Sequence, residues 1–219
     1  MKKIFFLVNK KDDFTSEKHL EKHLKNFEIR IEETLPQNID NYDLIILWNY
    51  RRILKNISNR KNIIIFHGSD LPQGKGWAPI FNSLNENKKF YTISGILPAD
   101  EVDSGDIVCQ AKFEIKDNYT AEYIREFDNE ISIMMSKQIC EKFDKNILHG
   151  KKQTGSESYY PLRRPEDNEI KPNSVIAEIF NFLRACEKTH PAFFFINKTK
   201  YILSLTPEKK PDFPTDLEI

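Results

Sequence analysis

Three short runs of almost unbroken apolar residues constrain this chain more than any other feature: KIFFLVN at residues 3–9, DLIILW at 43–48 and IIIF at 63–66. A strand that is apolar at every position, not every second one, must be covered on both faces, and that is the habit of parallel sheets. Between the first two runs, Thr15 or Ser16 is placed to cap a helix to about residue 26, with Leu20, Leu24 and Phe27 on one face. Residues 28–35 alternate as a second strand, and a short helix or turn fills the gap before residue 63. The order strand, helix, strand, strand, helix, strand predicts an α/β fold: a Rossmann-like, open, mostly parallel sheet flanked by helices. Ligands of such sheets bind outside the carboxyl ends of the strands, so residues 49–54 and 67–70 are the first places to look for a site.

Lysine plus arginine and aspartate plus glutamate each number 33 in 219 residues, giving no net charge and no broad basic field for nucleic acid. The apolar runs are far too short to span a membrane. Lys10 to Asp13 also cut the apolar start too soon for a signal peptide. Cys109, Cys140 and Cys186 are scattered and odd in number, which suits reduced thiols and a cytoplasmic location. His19 and His23 are spaced i, i+4, but with lysines around them and no third ligand nearby they read as a solvated helix face, and no metal site is expected.

Further along, residues 77–84 form a predicted helix, and 90–97 and 107–115 predicted strands. A long helix capped by Thr120 carries Ile124, Phe127, Ile131, Met134 and Met135 as a core stripe and ends near Gly150. Residues 1–150 are therefore expected to form the main domain and 151–205 a smaller extension. The extension comprises a polar loop, a helix over 174–184, and a hairpin of residues 191–195 and 201–205 joined through 197–200. A hairpin is marginal alone, so it must pack on the domain or on a second subunit as a homodimer. The proline-rich, charged tail 206–219 is expected to be disordered.

Five of the seven glycines lie between residues 63 and 110, which marks tight turns and close backbone approach. His67 stands where an apolar run ends, and Asp100, Glu101 and Asp103 form an acidic loop further on. A relay of His67 with the adjacent Ser69 and Asp70 is geometrically unfavourable. A histidine at a strand end, paired with a carboxylate from the second loop, can instead stabilise an oxyanion or pass a proton; the plainer alternative is a structural histidine at a turn. Gly74-Lys75-Gly76 lacks the spacing of a phosphate loop, and no GxGxxG follows the first strand.

HGSDLPQGKGWAPI, starting at His67, and DEVDSGDI, starting at Asp100, resemble the paired signatures of the N10-formyltetrahydrofolate-dependent formyltransferase superfamily. YRRIL from Tyr50, RRPEDNEI from Arg163, SVIAEIFNFLRA from Ser174 and HPAFF from His190 extend the likeness, most closely to formyltransferases acting on nucleotide-linked amino sugars. The resemblance implies that an amine attacks the formyl carbon of N10-formyltetrahydrofolate to give a formamide. It implies that His67 stabilises the oxyanion or relays a proton, and that Asp103 orients His67 and accepts the amine proton. Arg52 and Leu54, with Ala99, Asp100 and Asp103, would hold the folate. Trp77, Tyr160, Arg163 and Arg164 are candidates for the amino sugar and its diphosphate, with surface ion pairing an equal alternative for the two arginines.

One position departs from the pattern. The family's N-x-H carries an asparagine two residues before the histidine, where this chain has Ile65. Losing an oxyanion donor can cost about 10²–10³ in rate. Asn49, at the end of the preceding strand, is a candidate substitute. The rival readings are a methionyl-tRNA formyltransferase, for which the chain is short and without net charge, a glycinamide ribonucleotide formyltransferase, and a non-catalytic folate- or sugar-binding relative.

Overall fold

The computed structural model describes residues 1–10, 17–58, 60–143 and 148–219. One six-stranded sheet contains β1 (Lys2–Val8), β2 (Phe27–Glu32), β3 (Leu44–Trp48), β4 (Ile63–His67), β6 (Phe90–Ile96) and β7 (Ile107–Glu114), while the two-residue β5 (Lys75–Gly76) lies outside it. The order is β2-β1-β3-β4-β6-β7. The first four strands run parallel, β6 is antiparallel to β4, and β7 is antiparallel to β6. The expected Rossmann-like, mostly parallel sheet is therefore present, with a mixed side at β6 and β7.

The apolar runs are unbroken because both faces of the sheet are covered. Ile4, Phe6 and Val8 of β1 point into a cluster with Leu20, Leu24, Trp48 and Ile133, whereas Phe5 and Leu7 point the other way, into one with Ile45, Leu47 and Ile63. Each such fully buried side chain contributes about 1.5–3 kcal/mol. A third cluster, around Tyr91, Phe113 and Phe127, lies under β6 and β7.

The helices are shorter than the sequence suggested. α1 is Glu17–His23, and its proposed caps Thr15 and Ser16 and the side chain of His19 fall outside the described residues. α2 (Pro79–Asn85) begins two residues late, because proline fits best in a first helical turn. α3 (Ala121–Lys142) stops at Phe143, not near Gly150. Gly150 instead sits against Asp106, and its neighbour Lys151 bridges to Ile107. Met134, assigned to the core stripe, is 41% exposed, while the polar Asp128, Ser132 and Ser136 are buried.

β8 (Tyr159–Tyr160) pairs with β5, tying the extension to the main sheet unit. The helix expected over 174–184 shrinks to α4 (Phe180–Ala185), which packs on α2, while Val175 and Ile176 stay exposed. The helix forms where it has a surface to bury against. The hairpin of β9 (Ala192–Ile196) and β10 (Thr199–Leu203) closes through two residues, not four. Asn197 and Lys198 both take positive φ (49° and 67°), as the tight turn that matches strand twist demands.

The tail, expected to be disordered, is docked. Phe213 meets the Phe127 ring edge-on at 5.5 Å, Glu218 exchanges two backbone hydrogen bonds with Lys112 on β7, and the Glu114 N–H donates to Asp216. Its two buried prolines, Pro211 and Pro214, supply apolar surface that the count of charges concealed. No described helix is long and apolar enough to cross a membrane.

Candidate active site

β3 and β4 end side by side, Leu47 level with Ile65, so residues 49–54 and His67 open onto a common edge. The acidic loop arrives differently from the simple expectation. Because β6 is antiparallel, it ends with Ile96 level with Ile65, and residues 97–106 must carry Asp103 back to His67. Leu97 N–H closes this loop on the Asp106 carbonyl, and Gly105 is obligatory because a Cβ there would lie 1.6 Å from the Leu97 carbonyl oxygen.

His67 is held at both ring nitrogens. Nε2 lies 2.8 Å from the Gly74 carbonyl oxygen, which can only accept, so Nε2 is the donor. That leaves Nδ1 to act, and it faces Asp103 Oδ2 at 3.5 Å. The same Asp103 oxygen accepts the Gly76 N–H at 2.8 Å. The Gly-Lys-Gly turn is thus a clamp, with Gly74 fixing the histidine and Gly76 the carboxylate. Lys75 Nζ donates to Ser104 Oγ (2.9 Å) and Glu157 Oε2 (2.6 Å), and Gln153 donates to the carbonyls of Asp103 and Gly105. Both glycines have positive φ, and a Cβ at Gly76 would lie 2.4 Å from the Tyr160 carbonyl. The sequence had offered this turn as part of the signature that starts at His67, without a role for its backbone atoms.

His67, Gly76 and Asp103 line a cavity of about 430 Å³, within the usual range for small-molecule sites. One end is walled by Leu47, Ile57, Ile65, Ile96 and Leu97, and by the consecutive residues Asn49 to Leu54, which include Arg52. Ala99 and Asp103 also line it; Asp100, expected to do so, is exposed and is not among the lining residues. An aliphatic wall beside a stretch of irregular main chain suits a flat heterocycle with donors and acceptors along its edge. Asn49 has φ 51° and is exposed, and its amide donates to Asn129 at 3.2 Å. Ile65 offers only hydrocarbon.

The other end is built by α2, α3 and the extension. Trp77 and Arg164 line it, but the remaining expectations shift. Tyr160 turns away to give its hydroxyl to Glu86 at 2.6 Å, and Tyr159 lines the cavity in its place. Strand alternation decides this: adjacent residues face opposite ways. The Arg163 guanidinium lies 3.3 Å from the Phe81 ring centroid and donates to Asn168, and burial lowers its pKa. It braces the extension as well as lining the cavity. Sequence reasoning missed Tyr91, Arg125 and Asp128, all of which line this end. Asp128 sits within a helical stripe read as core, and only its being a charge on a buried face could have drawn notice.

Comparison with known proteins matches this arrangement to a family. Residues 4–135, more than half of the chain, match the model described as formyl transferase. The methionyl-tRNA formyltransferase of Thermodesulfovibrio yellowstonii is 29% identical over 133 residues, 61% of this chain and 43% of that protein. The chain spans about half the length of the curated relatives it matches. Among solved structures, a methionyl-tRNA formyltransferase from Clostridium thermocellum superposes with a TM-score of 0.75 at 22% identity, covering 100% of this chain and 98% of that one. A sugar N-formyltransferase from a Shewanella species gives 0.69 at 14% identity, with 96% and 100% covered. HypX from Aquifex aeolicus in complex with tetrahydrofolic acid gives 0.73 at 14%, with 96% and 39% covered. At these identities the structural matches speak for the fold, and the family match for descent: this chain belongs to the formyltransferase family.

Proposed function

We propose that this protein transfers a formyl group from N10-formyltetrahydrofolate to the amine of a nucleotide-linked amino sugar. The observation carrying the proposal is the His67–Asp103 pair lining one cavity together with an aliphatic wall suited to a pterin and polar side chains from the extension. The solved relatives holding tetrahydrofolic acid or named for sugar N-formylation support these two parts respectively. The folate site is assigned to Arg52, Leu54, Ala99 and Asp103, and the acceptor site to Trp77, Tyr159 and Arg164.

His67 Nδ1 would donate to the oxygen that gains charge when the amine nitrogen bonds the formyl carbon. Asp103 would hold the imidazolium and take up the amine proton. With Ile65 in the usual donor's place, His67 carries that load alone or with the free hydrogen of the Asn49 amide. Phe195 and Ile202 stand exposed on one face of the hairpin and Ile196 and Tyr201 on the other, apolar surface that a second copy would cover in a homodimer. Three free cysteines suit a cytoplasmic setting.

A second reading, formylation of methionyl-tRNA, is favoured by the names of the sequence relatives. The deciding experiment supplies formyltetrahydrofolate with dTDP-, UDP- or GDP-linked amino sugars, or with methionyl-tRNA, and follows release of tetrahydrofolate. Turnover with one sugar class alone supports the proposal, and turnover with methionyl-tRNA alone replaces it. Folate binding by calorimetry without any turnover would identify a non-catalytic relative.

A further inference from the structure

Beyond His67 the cavity runs on to a carboxylate that the chemistry above does not use. Asp128 projects from the buried face of α3, is 9% exposed, and lines the cavity together with Tyr91 and Arg125. Tyr91 donates its hydroxyl to Asp128 Oδ2 at 2.6 Å, and Ser132 Oγ reaches Oδ1 at 3.4 Å. Arg125, one turn earlier on α3, is committed elsewhere: its Nε donates to Glu187 at 2.9 Å, and the two form an ion pair. Asp128 is thus a buried carboxylate held by hydroxyls, with one oxygen only weakly engaged.

It is also coupled to the site. Burial raises the proton affinity of Asp128, and the Tyr91 hydroxyl, Arg125, Ser132 and, least, His67 oppose that rise. The residue after the histidine is glycine because a Cβ at Gly68 would lie 2.1 Å from the Tyr91 hydroxyl oxygen. The main chain leaving His67 therefore runs against the Tyr91–Asp128 pair. A buried charge of this kind costs several kcal/mol unless it has a full set of partners. A core aspartate needed only to satisfy Tyr91 could be an asparagine.

We propose that Asp128 receives the acceptor's amine, binding it as the ammonium and taking its first proton, so that Asp128 and Asp103 act on the same nitrogen in succession. This inference rests on the formyl-transfer reading. R–NH₃⁺ gives one proton to the Asp128 carboxylate, leaving R–NH₂. The nitrogen lone pair then bonds the formyl carbon, and the carbonyl π pair moves onto oxygen beside His67. The attached nitrogen loses its second proton to the Asp103–His67 pair. As the oxyanion collapses, the bond to the folate N10 breaks, and N10 leaves with that proton. The products are R–NH–CHO, tetrahydrofolate and the proton held by Asp128, which passes to solvent. The acceptor class that follows is a primary amine that is cationic in solution, not an alcohol, a thiol or an amide.

The test is Asp128→Asn, which keeps an acceptor oxygen for Tyr91. With a nucleotide-linked amino sugar as acceptor, KM for the amine should rise at least about 10-fold. KM for formyltetrahydrofolate should stay within about twofold and the melting temperature close to wild type, while the acid limb of the acceptor kcat/KM profile disappears. Asp128→Glu should restore part of that limb. Unchanged acceptor KM and pH profile in Asp128→Asn, or equal losses for donor and acceptor, would overturn the proposal. If Asp128→Asn fails to fold, Tyr91→Phe decides: removing a donor to the carboxylate should move the acid limb to higher pH, and an unmoved limb overturns the idea. If no amino sugar is formylated by wild type, the sugar reading falls, and the same comparison with methylamine, a primary amine that is cationic at neutral pH, still judges Asp128. Wild type inert toward methylamine as well would sink both.

Discussion

The sheet unit and the extension solve the same problem of holding a chain in place by different means. β1, β3 and β4 bury hydrocarbon on both faces. The extension has little such surface. It is fastened by single polar ties: Gln153 to Asp103 and Gly105, Asn168 to the carbonyl of His190, and Arg184 to the carbonyls of Lys116 and Asp117. A unit held by distributed burial tolerates the loss of any one polar contact, whereas a unit held by ties does not. The proposed active site lies where the two meet, with His67 and Asp103 held by the Gly74–Gly76 turn and that turn braced by Glu157 and Tyr160 of the extension.

The largest test of that division is at the reactive pair. His67→Ala should lower kcat by at least about 10² while leaving the melting temperature within about 2 °C, because His67 ends a strand and does not fill the core. Asp103 has φ 54°, so Asp103→Asn, which tolerates that backbone, is the fair variant. It should lose comparable rate with the melting temperature retained; a fall in stability matching the fall in rate would mean that the pair is structural.

A smaller effect is expected at a tie. Asn168 is 5% exposed, accepts from Arg163, and donates to His190 O at 2.6 Å. Asn168→Ala should cost about 1–3 kcal/mol, or roughly 3–10 °C by calorimetry, and should weaken acceptor binding more than folate binding. An unaffected melting curve would show that the extension, too, is held by distributed burial. Smaller still, Phe213→Ala on the half-exposed tail should cost about 1 kcal/mol, read as a lower urea midpoint.

The smallest effects come from the thiols. Burial pushes Cys109 and Cys186 up to about 11 and Cys140 to about 12. At pH 8 only about one thiol in a thousand would be ionised, so iodoacetamide should label the native protein far more slowly than the urea-unfolded chain. The sign for stability follows. The folded state keeps protons that the unfolded chain releases near pH 9, so this contribution is complete below pH 9 and is lost as pH rises through 11. Rapid labelling of Cys186 alone would mean that the extension opens independently.

Legibility followed the same division. The strands and the His67–Asp103 pairing could be read because unbroken apolar runs and two spaced motifs are local in sequence. The clamp could not, since Gly74 O and Gly76 N act through backbone atoms, which a residue list does not display. Asp128 escaped because helical periodicity groups it with Ile124, Phe127 and Ile131, and only the third dimension shows that this part of the stripe borders a cavity. The shortened α4 and the docked tail depend on what surface is available to pack against, which propensity does not carry.

The docked tail has a consequence away from catalysis. β7 is the outermost strand of the sheet, and such a strand offers unpaired N–H and C=O groups to any neighbour of similar shape. Here Lys112 is paired by Glu218 and Ile107 by Lys151, so that border is fenced by the chain's own last residues and by the start of its extension. A protein cut after residue 205 would keep its reactive pair yet expose that border, and it should form oligomers by edge-to-edge strand pairing that the intact chain avoids. Residues 206–219 thereby cover part of the sheet border most remote from β2.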